Sequence, residues 1–161
     1  MRPRTRAALL LSMVLFAPAL RAESTEPQIY FFWSASCPYS KAARTFLAAA
    51  RAKHPRLRIR DFEVDESVAN TRLLGRLYEK IGIPEFLVVP VVVVGRHVVI
   101  GYIDDETTGA EILSDVAECR KTGCKDAVRD LFEEEGRVDQ VVATASTARV
   151  ACEGNPGRAT R

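Results

Sequence analysis

No acidic residue occurs in this 161-residue chain before Glu23, whereas four of its 23 basic residues (Arg2, Arg4, Arg6 and Arg21) lie there. Residues 23 to 161 therefore carry 19 basic groups against 21 acidic ones, and the formal charge of +2 belongs to the N-terminal end. Dense Lys/Arg stripes with interleaved aromatics are missing, which excludes a strongly basic nucleic-acid binder. There is no glycine-rich phosphate loop and no internal repeat. Histidine is limited to His54 and His97 and cysteine to Cys37, Cys119, Cys124 and Cys152. The Cys119-x4-Cys124 spacing resembles half of a zinc site, but none of Cys152, His54 and His97 stands at ligand-like spacing from it, so no metal is expected. Both histidines read as solvated surface residues, His97 in a turn and His54 just before Pro55.

The composition is 47% apolar and 27% charged, that of one globular domain. Arg2, Arg4 and Arg6 precede an uncharged run from Ala7 to Leu20, with small residues at Ala17, Ala19 and Ala22. This is the layout of a secretory signal peptide over residues 1 to 22, with cleavage after Ala22 or Ala19. As a helix the run would cover only ~21 Å, against a hydrocarbon core of ~30 Å. The expected location is therefore periplasmic or secreted, where disulfides form and persist. A body of this size can build its own core, so four cysteines imply chemistry plus one local brace rather than a scaffold.

From residue 23 the pattern predicts one domain ending near residue 135 and a mostly unstructured tail over 136 to 161. Gln28 to Trp33 is a dense aromatic and β-branched run, read as a strand buried on both faces. Lys41 to Lys53 places Ala42, Ala43, Phe46, Leu47 and Ala50 on one helical face. Leu57 to Asp65 reads as a second strand with a bulge or bend near Asp61, because Leu57 and Ile59 are out of phase with Phe62 and Val64. Ser67 caps a helix that stops at Gly82. Pro90, lacking an N–H, marks where a strand begins inside the apolar stretch Phe86 to Val94. Gly95-Arg96 then turns a hairpin, and Thr108 to Glu111 is a capping box opening a helix with Ile112, Leu113, Val116 and Cys119 inward. Asp126 to Glu134 would form a last short helix. The order strand, helix, strand, helix, strand, strand, helix implies an α/β fold, a four-stranded mixed sheet with helices on both faces.

Cys37 follows a buried strand directly and stands at the first turn of a helix, with Pro38 in the N1-like place. Unpaired N–H groups and the positive end of a helix dipole stabilise a thiolate, lowering thiol pKa values from ~8.5 toward ~3.5 to 7.5. The polar neighbours Ser34, Ser36 and Ser40 argue for an exposed, reactive sulfur rather than a buried structural one. Trp33 and Tyr39 are candidates to border it.

The stretch F-F-W-S-A-S-C-P-Y-S-K-A-A, followed much later by V-V-P-V-V-V-V-G-R-H-V-V-I-G-Y, resembles the thioredoxin superfamily, and C-P-Y-S-K resembles its glutaredoxin branch. The resemblance covers about residues 28 to 122 and implies a thioredoxin-like fold with Cys37 as the attacking cysteine. It further implies a cis Val89-Pro90 bond, with the Val89 backbone pairing an extended substrate segment and Pro90 keeping the sulfur uncovered. Ser40 stands where the second active-site cysteine of the family would be and is assigned a hydrogen bond to the thiolate. Trp33, Pro38, Tyr39 and Val89 are the implied substrate contacts. The Thr-Val-Pro and Gly-Gly of glutathione-binding members are Val88-Val89-Pro90 and Gly101-Tyr102 here, which counts against glutathione without removing it. The C-x4-C pair is similar to one that follows the last helix of exported thioredoxin-like domains, found alone or joined to membrane electron-transfer proteins.

These readings converge on an exported monothiol thiol-disulfide oxidoreductase that requires no cofactor, acts on protein or small-molecule thiols and disulfides, and has a membrane redox partner as a candidate. Cys119 and Cys124 are expected to form a disulfide, either a structural clip on the last helix or a relay pair. Cys152 is left open: a free thiol, or a resolving partner that reaches Cys37. The alternative is a non-catalytic thioredoxin-like binding or electron-relay module that holds an extended segment beside Pro90.

Overall fold

The computed structural model of the chain describes residues 26–83, 87–132, 150–152, 154 and 157–159. The expected leader lies outside them, and among the described residues no helix is long and apolar enough to cross a membrane.

Strand β1 (Gln28–Trp33) lies inside the sheet. Side chains alternate along a strand, so Ile29, Phe31 and Trp33 enter one apolar layer and Tyr30 and Phe32 the other. Helix α1 (Pro38–Lys53) returns the chain to β2 (Arg58–Glu63), parallel to β1. Helix α2 (Val68–Ile81) is capped by Ser67, whose hydroxyl accepts from the Asn70 N–H, and ends at Gly82 in the left-handed region. A three-residue strand, β3 (Leu87–Val89), runs through Pro90 into β4 (Val91–Val94), and Gly95-Arg96 turn the chain into β5 (His97–Ile100). After a π-helical turn at Asp105–Gly109 comes α3 (Ala110–Thr122). Near the C-terminus, β6 (Val150–Cys152) and β7 (Gly157–Ala159) complete the set.

The main sheet has the order β2-β1-β4-β5-β7, with β1 and β2 parallel and the remaining neighbours antiparallel. Four of its strands come from the body, as the pattern predicts, and the fifth comes from the C-terminal end. Strands β3 and β6 form a separate parallel pair. Ala43, Leu47 and Ala50 of α1 and Ile112, Val116 and Cys119 of α3 close one face of the sheet. Leu73, Leu74, Leu77 and Tyr78 of α2, with Val128 and Leu131, close the other.

Three local readings change. The bulge expected near Asp61 is absent, because β1 and β2 pair residue for residue from Gln28 opposite Arg58 to Trp33 opposite Glu63. Leu57 and Ile59 pack on the α1/α3 layer and Phe62 and Val64 on the α2 layer, so the apparent change of phase is plain alternation in a strand that sends apolar side chains to both faces of the sheet. The capping box at Thr108 is replaced by a cap at Asp104, whose carboxylate accepts from the Thr107 N–H at 2.7 Å. Thr108 Oγ1 instead accepts from the Ile103 N–H at 3.1 Å. The expected unstructured tail falls largely on residues outside the described set, and its described parts include the strands β6 and β7.

Candidate functional site

Between β1 and α1 the chain turns through Ser34, Ala35 and Ser36. The Cys37 N–H donates to the Ser34 carbonyl at 3.3 Å, and the Cys37 carbonyl accepts from the Lys41 N–H at 3.1 Å. Cys37 is therefore the N-cap of α1 and Pro38 its first helical residue, where the absent N–H costs nothing. The Cys37 sulfur lies 3.8 Å from the Val89 carbonyl oxygen and is joined to Cys152 in a disulfide with Cα atoms 5.6 Å apart. Val89-Pro90 is a cis peptide.

The exposed sulfur expected from the polar neighbours is not what the fold provides. Cys37 is only 2% exposed, packed into the α2 layer and bonded to Cys152, which is itself exposed. Strand β6 reaches it by lying parallel to β3, with Leu87 opposite Val150, Val88 opposite Ala151 and Val89 opposite Cys152. The other side of β3 is tied down by the Tyr78 hydroxyl, which donates to the Val88 carbonyl at 3.1 Å.

The turn before Cys37 is held from the segment that follows β2. Asp65 Oδ2 accepts from the Ser34 hydroxyl at 2.8 Å and from the Ser36 N–H at 3.1 Å. Burial pushes the Asp65 carboxyl up, but the hydrogen bonds from Ser34, Ser36 and Ala35 outweigh it and hold the group below its ordinary value. Glu63 in turn accepts from the N–H groups of Asp65 and Glu66 at 2.8 and 2.9 Å. Ser40 is fully buried, and its hydroxyl oxygen accepts from the Ser34 N–H at 3.3 Å. That contact ties the end of β1 to the first turn of α1.

Of the inferred substrate contacts, Val89 lies beside Cys37, with Pro90 next to it in the chain, and Pro38 follows Cys37 on the exposed first turn. Tyr39 is 43% exposed and its ring closes on Gly154, where an added Cβ would stand 2.6 Å from ring carbons. A side chain at position 154 would have to push the ring aside. Trp33 does not border the sulfur: it belongs to the α1/α3 layer, stacks on Phe31 with centroids 6.4 Å apart, and carries the Arg44 guanidinium 4.2 Å above its ring.

Cys119 and Cys124 form the second disulfide, with Cα atoms 4.7 Å apart. Gly123, at φ 69°, turns the chain between them. The bridge rests on the β4–β5 turn so closely that a Cβ on Gly95 would stand 2.5 Å from Cys124 Cβ and 2.9 Å from Cys119 Sγ. Gly95 also sits at φ 61°, and its carbonyl accepts from the Ala127 N–H at 2.9 Å. His97 is not the solvated residue its place in the hairpin suggests. Its side chain is 17% exposed, with Nδ1 3.4 Å from Asp115 Oδ1 and Nε2 3.8 Å from Glu118 Oε1. Ligand atoms of His97, Cys119 and Cys124 gather within 4.8 Å, as do those of His97, Asp115 and Glu118. In the first group the two sulfurs are bonded to each other and offer no thiolate to a metal; the second is a candidate carboxylate-histidine set that spacing along the chain conceals. A cleft over this region is lined by Arg96, His97, Glu118, Thr122 and Lys125.

Against protein-family models, curated proteins and solved structures, the chain finds no match. The site therefore rests on its own geometry. Sequence reading missed Asp65 as the clamp on the Ser34–Ser36 turn, the β3–β6 pairing, and Gly154 under Tyr39. The signal for the first was the acid-rich alternation Asp61, Glu63, Asp65 running off the end of β2, beside a serine-rich turn, while the others depend on a fold-back that no periodicity announces.

Proposed function

We propose that this chain is a thiol-disulfide oxidoreductase of thioredoxin-like fold that acts outside the cytoplasm with Cys37 as its nucleophile. The observation that carries the reading is the placement of Cys37 at the N-cap of α1, in a disulfide with the sulfur of an exposed residue. In the reduced protein the free N–H groups and dipole of α1 favour the thiolate over the thiol. That thiolate attacks one sulfur of a partner disulfide, the new S–S bond forms to Cys37, and the partner's other sulfur leaves as a thiolate. No cofactor enters these steps. Protein segments and small disulfides, glutathione among them, are the candidate substrates, and a membrane electron-transfer partner is a candidate for returning the enzyme to its starting state. Four cysteines joined in two disulfides fit an oxidising compartment.

The test compares reduced wild type with Cys37→Ser in exchange with a peptide disulfide. The rate falls at least ~100-fold in the variant, to that of an ordinary thiol. Equal rates would end the reading. A non-catalytic module that binds an extended segment is the second reading, favoured by the strand pairing of β6 on β3. A thiol pKa of reduced Cys37 measured near that of an ordinary cysteine would favour it.

A further inference from the structure

We propose that strand β6 is a tethered resolving strand, which seats Cys152 against Cys37 by occupying the same edge of β3 that a partner segment would use. The proposal rests on the reading of Cys37 as nucleophile and adds what releases the partner. Three observations point to it. β6 pairs along Leu87, Val88 and Val89, while the Val88 carbonyl also accepts from the Tyr78 hydroxyl on α2. The register places Cys152 opposite Val89, the residue whose carbonyl lies 3.8 Å from the Cys37 sulfur. Gly154, two residues further on, lies against the Tyr39 ring, where an added Cβ would stand 2.6 Å from ring carbons, so the chain just past Cys152 is close to the first turn of α1.

Each step balances. Starting from the Cys37–Cys152 disulfide, a thiolate of an external dithiol attacks the sulfur of exposed Cys152, and Cys37 leaves as the thiolate that its helix N-terminus stabilises. The second thiol of the dithiol, deprotonated to solvent, displaces Cys152 and becomes the second half of an external disulfide. With β6 free to leave β3, the Cys37 thiolate attacks a partner disulfide and holds one partner sulfur in a mixed disulfide. Cys152 then returns on β6, its thiolate attacks the Cys37 sulfur, and the partner leaves as its second thiolate. Two electrons have passed from the external dithiol to the partner disulfide. Every displacement is reversible, so an external disulfide oxidant drives the same cycle backward. Ser40 leaves the usual neighbouring position without a resolving sulfur; β6 supplies one from 115 residues away.

The experiment uses full-length chain, reduced with dithiothreitol and freed of it, then mixed with a synthetic peptide closed by a single disulfide. Samples quenched with N-ethylmaleimide are mapped by mass. In wild type the peptide is released and Cys37–Cys152 reforms. In Cys152→Ser the Cys37–peptide adduct persists at least tenfold longer. A third protein, Cys152→Ser with Ala151→Cys, moves the thiol one place along β6, where strand alternation turns it to the opposite side. If β6 seats the thiol, this protein clears the adduct as slowly as Cys152→Ser. Clearance at the wild-type rate by the moved thiol would show a mere flexible tether and overturn the proposal. Clearance at the wild-type rate by Cys152→Ser would overturn it too, while leaving Cys37 as nucleophile. Absence of any Cys37 adduct in Cys152→Ser, with its thermal transition intact, would remove the nucleophile reading and this inference together.

Discussion

The Cys119–Cys124 bridge joins residues five apart in sequence, whereas Cys37–Cys152 joins residues 115 apart. In the chain-entropy account the short loop is worth about 2 kcal/mol and the long one about 5 kcal/mol, because the unfolded chain loses far more freedom when distant residues are tied. Their surroundings differ as much. The short bridge sits on the β4–β5 turn with Cys119 buried and Gly95 pressed against both sulfurs. The long bridge has one buried partner at a helix N-terminus and one exposed partner on a three-residue strand. One fastens elements that already pack together. The other holds in place a strand whose own backbone pairing is short, and it ends on an exposed residue.

Stability offers the widest separation between the two. Replacing Cys37 and Cys152 together by alanine lowers the urea-unfolding free energy by up to about 5 kcal/mol, against about 2 kcal/mol for the Cys119/Cys124 pair. Equal losses would erase the distinction. The same Cys119/Cys124 variant keeps peptide-disulfide exchange at Cys37 within about twofold if the pair is a clip, since no step above passes through it; a large loss would make it a relay.

A smaller effect sharpens the clip itself. Gly95→Ala places a Cβ 2.5 Å from Cys124 Cβ at a φ of 61°, and costs about 1–3 kcal/mol by thermal melting. Combined with alanine at Cys119 and Cys124, part of that cost is recovered, because the clash with the two sulfurs goes while the contact with the Cβ at position 124 and the backbone penalty stay. Full additivity would mean that bridge and turn do not touch energetically.

The smallest effect lies beside the long bridge. Asp65→Ala removes two hydrogen bonds from the turn before Cys37 and costs about 1 kcal/mol near neutral pH. The Asp65 carboxyl is held below its ordinary value of 3.8, so its contribution is present above that value and lost as pH falls through the lower folded value. Melting temperatures of wild type and variant therefore converge in strong acid. A gap that widens on acidification would contradict the clamp.

Much of this architecture was legible in the sequence because apolar alternation and helix stops act locally. β1, α2 with its Ser67 cap and Gly82 stop, and the hairpin around Gly95-Arg96 all follow from neighbours within a few residues. β2 misled because a strand that contributes to both apolar layers carries apolar residues in both phases, which imitates a bulge. The position of Cys37 and the pairing of Cys119 with Cys124 were readable from spacing. The partner of Cys37 was readable only as one of two alternatives for Cys152, since three backbone pairings and one glycine contact bring that residue back, and none leaves a period in the sequence. His97 was misplaced for a related reason: its carboxylate neighbours Asp115 and Glu118 come from α3, reached only once the hairpin and that helix pack.

Strand β7 gives the C-terminal segment a second duty. By pairing Gly157, Arg158 and Ala159 with Ile100, Val99 and Val98, it occupies a border of the sheet that would otherwise offer unsatisfied main-chain groups beside a valine-rich ribbon. Cutting the chain ahead of residue 150 would remove the thiol of Cys152 and bare that border in one stroke. A shortened protein that dimerises or precipitates would therefore report on the uncovered ribbon before it reported anything about sulfur chemistry.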